Sequence, residues 1–339
     1  MASWSVLIVG GGLAGLSAAL HLMEEAEAAG GSVAGRVAVV EAARSAGGRL
    51  ATRTIDRAVL DHGAQFFTVR SDTLQARVDQ WLVEGAVEEW CRGFTDIDGF
   101  PRYRAAGGML ALAAHMRRQL ERGGVDVITG QRVAAVLSDG ERWVTTYDGA
   151  TREPDEAAAL VATPPVPQVL ELLRNGAVAV PAEHRQRLES FAYHRVLALL
   201  AVLDRSPGLP APGALQQPDD PVFSFVADNQ AKGISPVPAV TFHTGHALSA
   251  ELWDLPDNEV VARLTEPARA YLGGAEVTSL QLKRWRHTGP MTPWPEPCLN
   301  LADRPGPLVL AGDGFGTSRF EGAYNSGLAA ARAVAPVLS

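Results

Sequence analysis

Ser5-Val6-Leu7-Ile8-Val9 runs directly into Gly10-Gly11-Gly12-Leu13-Ala14-Gly15 near the start of the chain. The apolar run predicts a buried parallel strand and the pattern after Gly15 predicts a helix, so the glycines form the turn between them. Gly10 permits the sharp turn, Gly12 lets the backbone approach a pyrophosphate, and Gly15 lets the helix pack on the strand. The first helical N–H groups then face the phosphates, which predicts a dinucleotide-binding unit.

A second apolar run, Val37-Ala38-Val39-Val40, ends in Glu41. The dinucleotide motif has an acidic residue at this place, where it accepts hydrogen bonds from the adenosine ribose. The interval from Gly15 to Glu41 exceeds the usual ~20 residues, and a loop rich in Ala, Gly and Glu accounts for the excess. This context distinguishes the motif from a chance glycine run.

Length and composition limit which classes of protein the chain can belong to. The 339 residues favour two domains, and the net charge of −8 without clustered Lys or Arg argues against nucleic acid as a partner. Cys91 and Cys298 lack any motif spacing, so we expect two free thiols in a reducing compartment. There is no signal-peptide pattern and no apolar run near the ~20 residues of a membrane span, so we expect a cytoplasmic protein without membrane contact.

Two further glycine turns indicate which dinucleotide is bound. Gly47-Gly48-Arg49 exposes backbone N–H groups beside a cation, which suits a pyrophosphate. Near the end of the chain, a predicted strand at residues 308–311 is followed by Gly312-Asp313-Gly314. A nicotinamide dehydrogenase needs no such second acidic turn, whereas the ribityl hydroxyls of FAD can donate to Asp313. We therefore predict FAD, with a turn at 322–327 directing a last helix at 328–335 towards flavin N1 and C2.

The order of patterns predicts an α/β fold. Apolar periodicity predicts helices at 71–90 and 109–120, a hairpin at 133–147, and a buried strand at 157–162. Residues 166–285 read as long strands with one helix at 258–271, typical of a mostly antiparallel sheet. We predict a discontinuous FAD-binding Rossmann-like domain (residues 1–70, 101–165 and 300–339) and a second α+β substrate domain (residues 71–100 and 166–299).

The chain resembles the flavin-containing amine oxidase superfamily, and within it the bacterial renalase-like oxidoreductases. The narrower resemblance rests on the stretch from Leu60-Asp61-His62-Gly63-Ala64-Gln65 to Thr68 and on Lys283-Arg284-Trp285. It implies noncovalent FAD, Arg49 near the pyrophosphate, the Val133 backbone against the adenine, and a pocket over the flavin. With the motifs above, the predicted cofactor residues are Gly10, Gly12, Leu13, Ala14, Gly15, Glu41, Ala42, Gly48, Arg49, Gly63, Ala64, Gln65, Val133, Thr163, Gly312, Asp313, Gly322 and Ala323.

The resemblance also implies an activity. Renalase-like enzymes oxidise mis-reduced isomers of dihydronicotinamide dinucleotides by hydride transfer to flavin N5, and O2 then reoxidises the flavin with release of H2O2. Such a transfer needs a positioned donor and no dedicated general base. The sequence agrees, because it offers no convincing base or nucleophile.

The candidate substrate-pocket residues are Gln65, Phe67, Phe225, His243, Trp285 and His287. Strand alternation predicts that Phe223 and Phe225 share one face, as do Trp285 and His287. Asn229 and Lys232 follow the strand at 223–226, where they could meet a polar or phosphate-bearing substrate, but we expect both at the surface. A zinc site at His243 and His246 is rejected, because their odd spacing places them on opposite faces of a strand and no third ligand is evident.

Three alternatives remain open. A flavin amine oxidase acting on a small amine needs a lysine-held water, and we expect Lys283 to point away from Trp285 on their strand. An isoprenoid desaturase needs an apolar membrane-docking surface, which the sequence does not show. A non-catalytic FAD-binding protein is the third, and flavin reduction by candidate substrates separates it from the others.

Overall fold

The computed structural model describes residues 2–94, 98–150 and 152–339 of the chain. These residues form two compact units. Unit 1 comprises Met1–Arg49, Ala113–Ala192 and Gly289–Ser339, and unit 2 comprises Leu50–Leu112 and Tyr193–Thr288.

Strands and helices both occur throughout the chain. In chain order, the strands are β1 (Ala2–Val9), β2 (Val37–Glu41), β3 (Thr52–Ile55), β4 (Ala58–Asp61), β5 (Val87–Cys91), β6 (Arg102–Ala105), β7 (Asp126–Thr129), β8 (Val133–Ser138), β9 (Trp143–Tyr147), β10 (Asp155–Ala162), β11 (Val196–Leu203), β12 (Ala214–Gln216), β13 (Phe223–Asp228), β14 (Ala239–Thr244), β15 (Val277–Trp285), β16 (Leu299–Ala302) and β17 (Leu308–Leu310). The helices are α1 (Leu13–Ala28), α2 (Asp72–Val83), α3 (Met109–Arg122), α4 (Val166–Asn175), α5 (Ala182–Glu189), α6 (His246–Glu251), α7 (Asp257–Ala268) and α8 (Arg319–Val334).

Unit 1 is built on a largely parallel sheet with the strand order β16-β17-β10-β1-β2-β7. Strands β1, β2, β7, β10 and β17 are parallel, β16 is antiparallel to β17, and the β8–β9 hairpin joins through β9 to β10. The apolar runs seen in the sequence become the fully buried centre of this sheet, as expected for strands covered on both faces. The glycine turns after β1 and β17 therefore lie at the same edge, because parallel strands share their carboxyl ends.

Unit 2 is built on an antiparallel sheet with the strand order β12-β13-β14-β11-β15. Strand β11, which lies between β14 and β15, is buried along its whole length. On one face, its residues Leu197 and Leu199 pack with Phe242 and Leu264 of α7. On the other face, Leu200 packs with Leu60 of the β3–β4 hairpin.

The predicted fold class is confirmed, and so are the strand–turn–helix unit at the start, the β8–β9 hairpin and the buried strand β10. The helix predicted at residues 71–90 is shorter than expected. It ends at Val83, because Gly85 reverses the chain with φ +68° and Val87–Cys91 then forms β5. Three helices, α4, α5 and α6, lie in the stretch expected to hold strands and one other helix, and β16 lies in the expected Pro-rich connection.

The turn predicted at residues 322–327 is wrong. Those residues lie inside α8, which begins at Arg319. Their glycines serve close packing instead: a Cβ added at Gly322 would lie 1.5 Å from the Thr317 carbonyl oxygen, and one at Gly327 would lie 2.3 Å from that of Ala14 on α1.

The compact units also differ from the predicted domain boundaries. Residues 50–70 and 101–112 belong to unit 2, since the β3–β4 hairpin packs on the antiparallel sheet. Residues 166–192 and 289–299 belong to unit 1, where α4 packs so closely on β8 that a Cβ at Gly176 would lie 1.7 Å from the Val136 oxygen. Among the described residues, no helix is long and apolar enough to cross a membrane.

Candidate functional site

The first glycine turn has a tight interior and an open front. Gly10 has φ +103°, and a Cβ added at Gly15 would lie 2.0 Å from the Gly10 carbonyl oxygen. The Thr163 hydroxyl donates hydrogen bonds to the carbonyls of Val9 and Gly10, at 3.0 Å each, and so holds the inner side of the turn. A Cβ at Gly12 would instead meet no atom within 4 Å.

Gly12 is also the N-cap of α1, and no side chain caps this helix. The N–H groups of the first turn, including those of Leu13 and Ala14, have no partner within a helix by geometry. A helix start of this kind binds an anion through its N–H groups and its dipole. This turn therefore fits a pyrophosphate.

Arg49 and Asp313 link the second and third glycine turns. The Arg49 guanidinium donates to both carboxylate oxygens of Asp313, at 2.5 and 2.7 Å, and Asp313 is only 5% exposed. Gly47 N–H donates to the Gly11 carbonyl, which ties the Gly47-Gly48-Arg49 loop to the first turn. Gly312 N–H donates to the hydroxyl of Ser326 on α8. These contacts bring the distant glycine turns of unit 1 together.

Glu41 closes the other side of this region at the end of β2. Its carboxylate accepts hydrogen bonds from Gly11 N–H at 2.8 Å and Ala43 N–H at 2.7 Å. Its backbone carbonyl accepts from Gln131 N–H, which places the loop before Val133 against the end of β2. Contacts of Ala42 and Val133 with the adenosine stay a prediction.

The residues of unit 1 thus fit FAD: an open, uncapped helix start, a carboxylate at the end of β2, and an arginine paired with the acid of the last turn. Gly322 and Ala323 lie in the early turns of α8, whose start at Ser318 is also uncapped. Gly63, Ala64 and Gln65 belong to unit 2.

Asp61 is the centre of a buried polar network in unit 2. Its carboxylate accepts hydrogen bonds from Lys232 Nζ at 2.6 Å, Thr52 Oγ1 at 2.5 Å and Met109 N–H at 2.8 Å. Asp61 and Lys232 are both fully buried. Asn229 also lies inside, where its Oδ1 accepts from Asp61 N–H. The expectation that Asn229 and Lys232 are exposed is wrong, because the turn after β13 folds inward to satisfy the Asp61 charge.

Backbone carbonyls of Asp61, the last residue of β4, and of His62 after it hold three of the predicted pocket residues. The Asp61 carbonyl accepts from Gln65 Nε2 at 2.7 Å and from Thr241 Oγ1 at 2.8 Å. The His62 carbonyl accepts from Trp285 Nε1 at 2.6 Å and lies 3.1 Å from His243 Nε2. Gln65, His243 and Trp285 are therefore brought together around a short segment. We call residues 61–65 the carbonyl segment.

Two buried polar atoms of the carbonyl segment lack a hydrogen-bond partner among the described residues. They are Nδ1 of His62 and Oε1 of Gln65, on side chains of residues 7% and 5% exposed. Native proteins rarely leave such atoms unpaired without a reason. We treat them as candidate contacts to a bound molecule.

One cross-strand row of the unit 2 sheet carries further pocket residues. Phe225 lies opposite His243, His243 opposite Ala198, and Ala198 opposite Lys283. Trp285, two residues along β15, stacks on the His62 ring with centroids 5.4 Å apart. Lys283 Nζ lies 5.3 Å from the Trp285 ring centre. The expectation that Lys283 points away from Trp285 is wrong, because residues two apart on a strand share a face.

Phe223 and Phe225 do not share a face. A bulge between them shifts the register with β14, and an extra residue in one strand reverses the alternation. Phe223 packs on Phe242 in the helix-side core, whereas Phe225 contacts Phe66 and Phe94. Only Phe225 lies near His243, with ring centroids 6.4 Å apart.

The remaining pocket candidates have other neighbours. Phe67 stacks on Tyr103, and His287 lies beyond the end of β15 with its ring edge-on to Tyr193. His246 stacks on His194, away from the His243 partner, and no cluster of three or more metal-binding side chains occurs in the described ranges.

Burial governs the charge of the histidines. Desolvation, reinforced by the charges of Arg53 and Lys283, lowers the pKa of His62 to about 4. Desolvation also lowers the pKa of His243 to about 4. Burial lowers the pKa of Lys232, which the Asp61 carboxylate opposes. Both imidazoles are therefore neutral at neutral pH.

Family comparisons agree with this geometry. Residues 76–335 match the family described as flavin containing amine oxidoreductase, and residues 8–81 match an NAD(P)-binding Rossmann-like domain. The chain belongs to the flavin-containing amine oxidoreductase family. It is an FAD-dependent oxidoreductase of the amine oxidase type.

Individual proteins are similar to the chain over nearly its whole length. Mouse (Mus musculus) renalase is 22% identical, over 95% of this chain and 96% of renalase. Cyclohexylamine oxidase from Brevibacterium oxydans has a similar fold, with a TM-score of 0.69, 16% identity and 99% of each chain covered. A redesigned putrescine oxidase gives a TM-score of 0.67 at 17% identity, covering 97% of this chain and 98% of the other.

Proposed function

We propose that the protein oxidises an isomeric dihydronicotinamide dinucleotide, as the resemblance to renalase-like enzymes implies. The observation that carries the proposal is the charge around the His62–Trp285 stack. Its aromatic rings are neutral, its neighbours Arg53 and Lys283 are cations, and the nearby Asp61 carboxylate is already paired with Lys232. A positive environment favours a substrate that carries phosphates and disfavours a protonated amine.

Among the residues that the structure describes around the stack, we find no free base, which supports the same substrate. A protonated amine must lose a proton before it can give up a hydride, whereas a dihydronicotinamide donates directly. Histidines with a pKa of about 4 are weak bases at neutral pH. The Asp61 carboxylate is already paired with Lys232.

The chain's own residues bind and orient the substrate. FAD, when bound, would supply the hydride acceptor and a route for the electrons to O2, with H2O2 as the product. Trp285 and His62 offer flat apolar surfaces to a nicotinamide ring, and the carbonyl segment fixes both the Trp285 and the His243 side chains. His62 Nδ1 and Gln65 Oε1 are free to bind a carboxamide.

Anaerobic mixing tests this proposal. Hydride can add to a nicotinamide ring at C2, C4 or C6, so dinucleotides reduced at each position are mixed with the holoenzyme without O2. We expect the C2- or C6-reduced isomers to bleach the flavin absorbance within seconds, and ordinary C4-reduced NADH to bleach it far more slowly. No bleaching by any dinucleotide would contradict the proposal.

Amine oxidation is the second candidate. Lys283 lies on the same face as Trp285, which removes the sequence-based objection to a lysine near the aromatic site. Structural similarity to cyclohexylamine and putrescine oxidases also makes amines candidate substrates. Bleaching by cyclohexylamine or putrescine, with none by the dinucleotides, would favour this alternative.

A further inference from the structure

We propose that Arg53 and Lys283 form a subsite for the diphosphate of a dinucleotide substrate, beside the His62–Trp285 stack. This inference rests on the proposed function and names the residues that recognise the substrate's charge. Arg53 and Lys283 belong neither to the glycine motifs nor to the aromatic pocket candidates.

Strand β15 brings the two cations together. Gln281, Lys283 and Trp285 alternate along one face of this edge strand. Arg53, on the β3–β4 hairpin, donates to Gln281 Oε1 at 2.8 Å. Lys283 Nζ lies 5.3 Å from the centre of the Trp285 ring. One end of the face thus carries an aromatic ring, and the other carries two positive groups.

The charge of these two groups is not balanced within the described part of the chain. Neither Arg53 nor Lys283 forms an ion pair there, whereas Arg284 on the opposite face of β15 pairs with Asp257 at 2.8 Å. Two cations directed at one face repel each other unless an anion lies between them. Their field reaches His62, where both charges help to lower the pKa of the imidazole.

An independent observation points to a ligand at the same place. His62 stacks on Trp285, and its Nδ1 is buried without a hydrogen-bond partner among the described residues. A ring bound beside this stack can satisfy Nδ1 through a polar substituent. A charged group attached to that ring then comes near Lys283, which contacts the same indole. A nicotinamide ring with a diphosphate tail has both parts.

The test compares two substrates in the FAD-loaded enzyme. One is the isomeric dihydronicotinamide dinucleotide, and the other is the corresponding dihydronicotinamide riboside, which lacks phosphate. We expect Arg53→Met and Lys283→Met each to lower the ratio of kcat/KM for dinucleotide over riboside about tenfold, through a higher KM for the dinucleotide. Arg57→Met, on the same hairpin, is the matched control and should leave the ratio unchanged.

Salt gives a second readout. Rising ionic strength should raise the KM for the dinucleotide in the wild-type enzyme, and this dependence should largely vanish in an Arg53→Met/Lys283→Met double variant. Ratios and salt dependence equal to those of the wild type would overturn the subsite. A wild-type enzyme that no dinucleotide reduces would overturn the proposed function itself, so the two failures are distinguishable.

Discussion

Arg49 and Asp313 are joined by two hydrogen bonds although 264 positions separate them in the chain. The pair connects the loop after β2 to the turn after β17, and both lie in unit 1 at the carboxyl edge of its sheet. This ion pair therefore fixes the relative position of two turns predicted to hold different parts of FAD.

Asp313→Asn tests this arrangement. The amide keeps the shape of the carboxylate but removes its charge, so Arg49 loses its partner and the turn loses its strongest acceptor. We expect the Kd for FAD to rise about tenfold, or by roughly 1.4 kcal/mol, in a titration of the apoprotein. Asp219→Asn, at an exposed position, is the control. Unchanged affinity in Asp313→Asn would contradict the assigned role.

Gly12→Ala separates folding from cofactor binding. The added Cβ meets no protein atom within 4 Å, and Gly12 has φ −75°, which suits alanine. We expect the apoprotein to keep the wild-type Tm. The same methyl group occupies the space in front of α1, so FAD affinity should fall at least tenfold. Gly289→Ala, which also meets nothing within 4 Å, should change neither quantity.

Lys232→Met leaves the Asp61 carboxylate buried without its counter-charge. We expect the free energy of unfolding to fall by about 3–5 kcal/mol, measured by urea denaturation. The double variant Asp61→Asn/Lys232→Met removes both charges and should recover most of the loss. Lys283→Met, at the only other lysine, should cost little stability. A double variant less stable than Lys232→Met would contradict this interpretation.

The buried histidines predict how stability depends on pH. His62 and His243 have pKa values of about 4 in the folded protein, against 6.5 for an unperturbed imidazole. Between these values the unfolded chain binds more protons, so their contribution is complete above pH 6.5 and is lost as the pH falls towards 4.

His243→Gln isolates one of these groups. Its amide can still donate to the His62 carbonyl, but it does not titrate. We expect the slope of unfolding free energy against pH, between pH 6 and 5, to decrease by up to about 1.4 kcal/mol per pH unit, the value for one proton. An unchanged slope would show that His243 is not held neutral by the fold.

Local signals predicted the first glycine turn of unit 1 well. A glycine turn between an apolar strand and a helix has few alternative structures, and Gly10 and Gly15 act at short range within it. The roles of the residues in unit 2 were harder to predict, because they depend on partners that are distant in the sequence. Nothing local to Lys232 indicates that Asp61, 171 positions earlier, draws it into the core.

Three errors have identifiable causes. The period-two rule fails between Phe223 and Phe225 because a bulge adds a residue, and a bulge depends on the pairing with β14. The glycines of α8 were assigned to a turn, whereas they allow close approach to Thr317 and Ala14. Strand alternation, correctly counted, would have placed Lys283 with Trp285.

Rapid anaerobic reduction of the enzyme-bound flavin tests the central claim most directly. The substrate is a dihydronicotinamide dinucleotide with deuterium in place of the transferred hydride at C2 or C6. We predict bleaching of the flavin absorbance in one phase, slowed severalfold by deuterium, with one NAD⁺ formed per flavin. A flavin that these isomers leave oxidised, but that an amine reduces, would contradict the account.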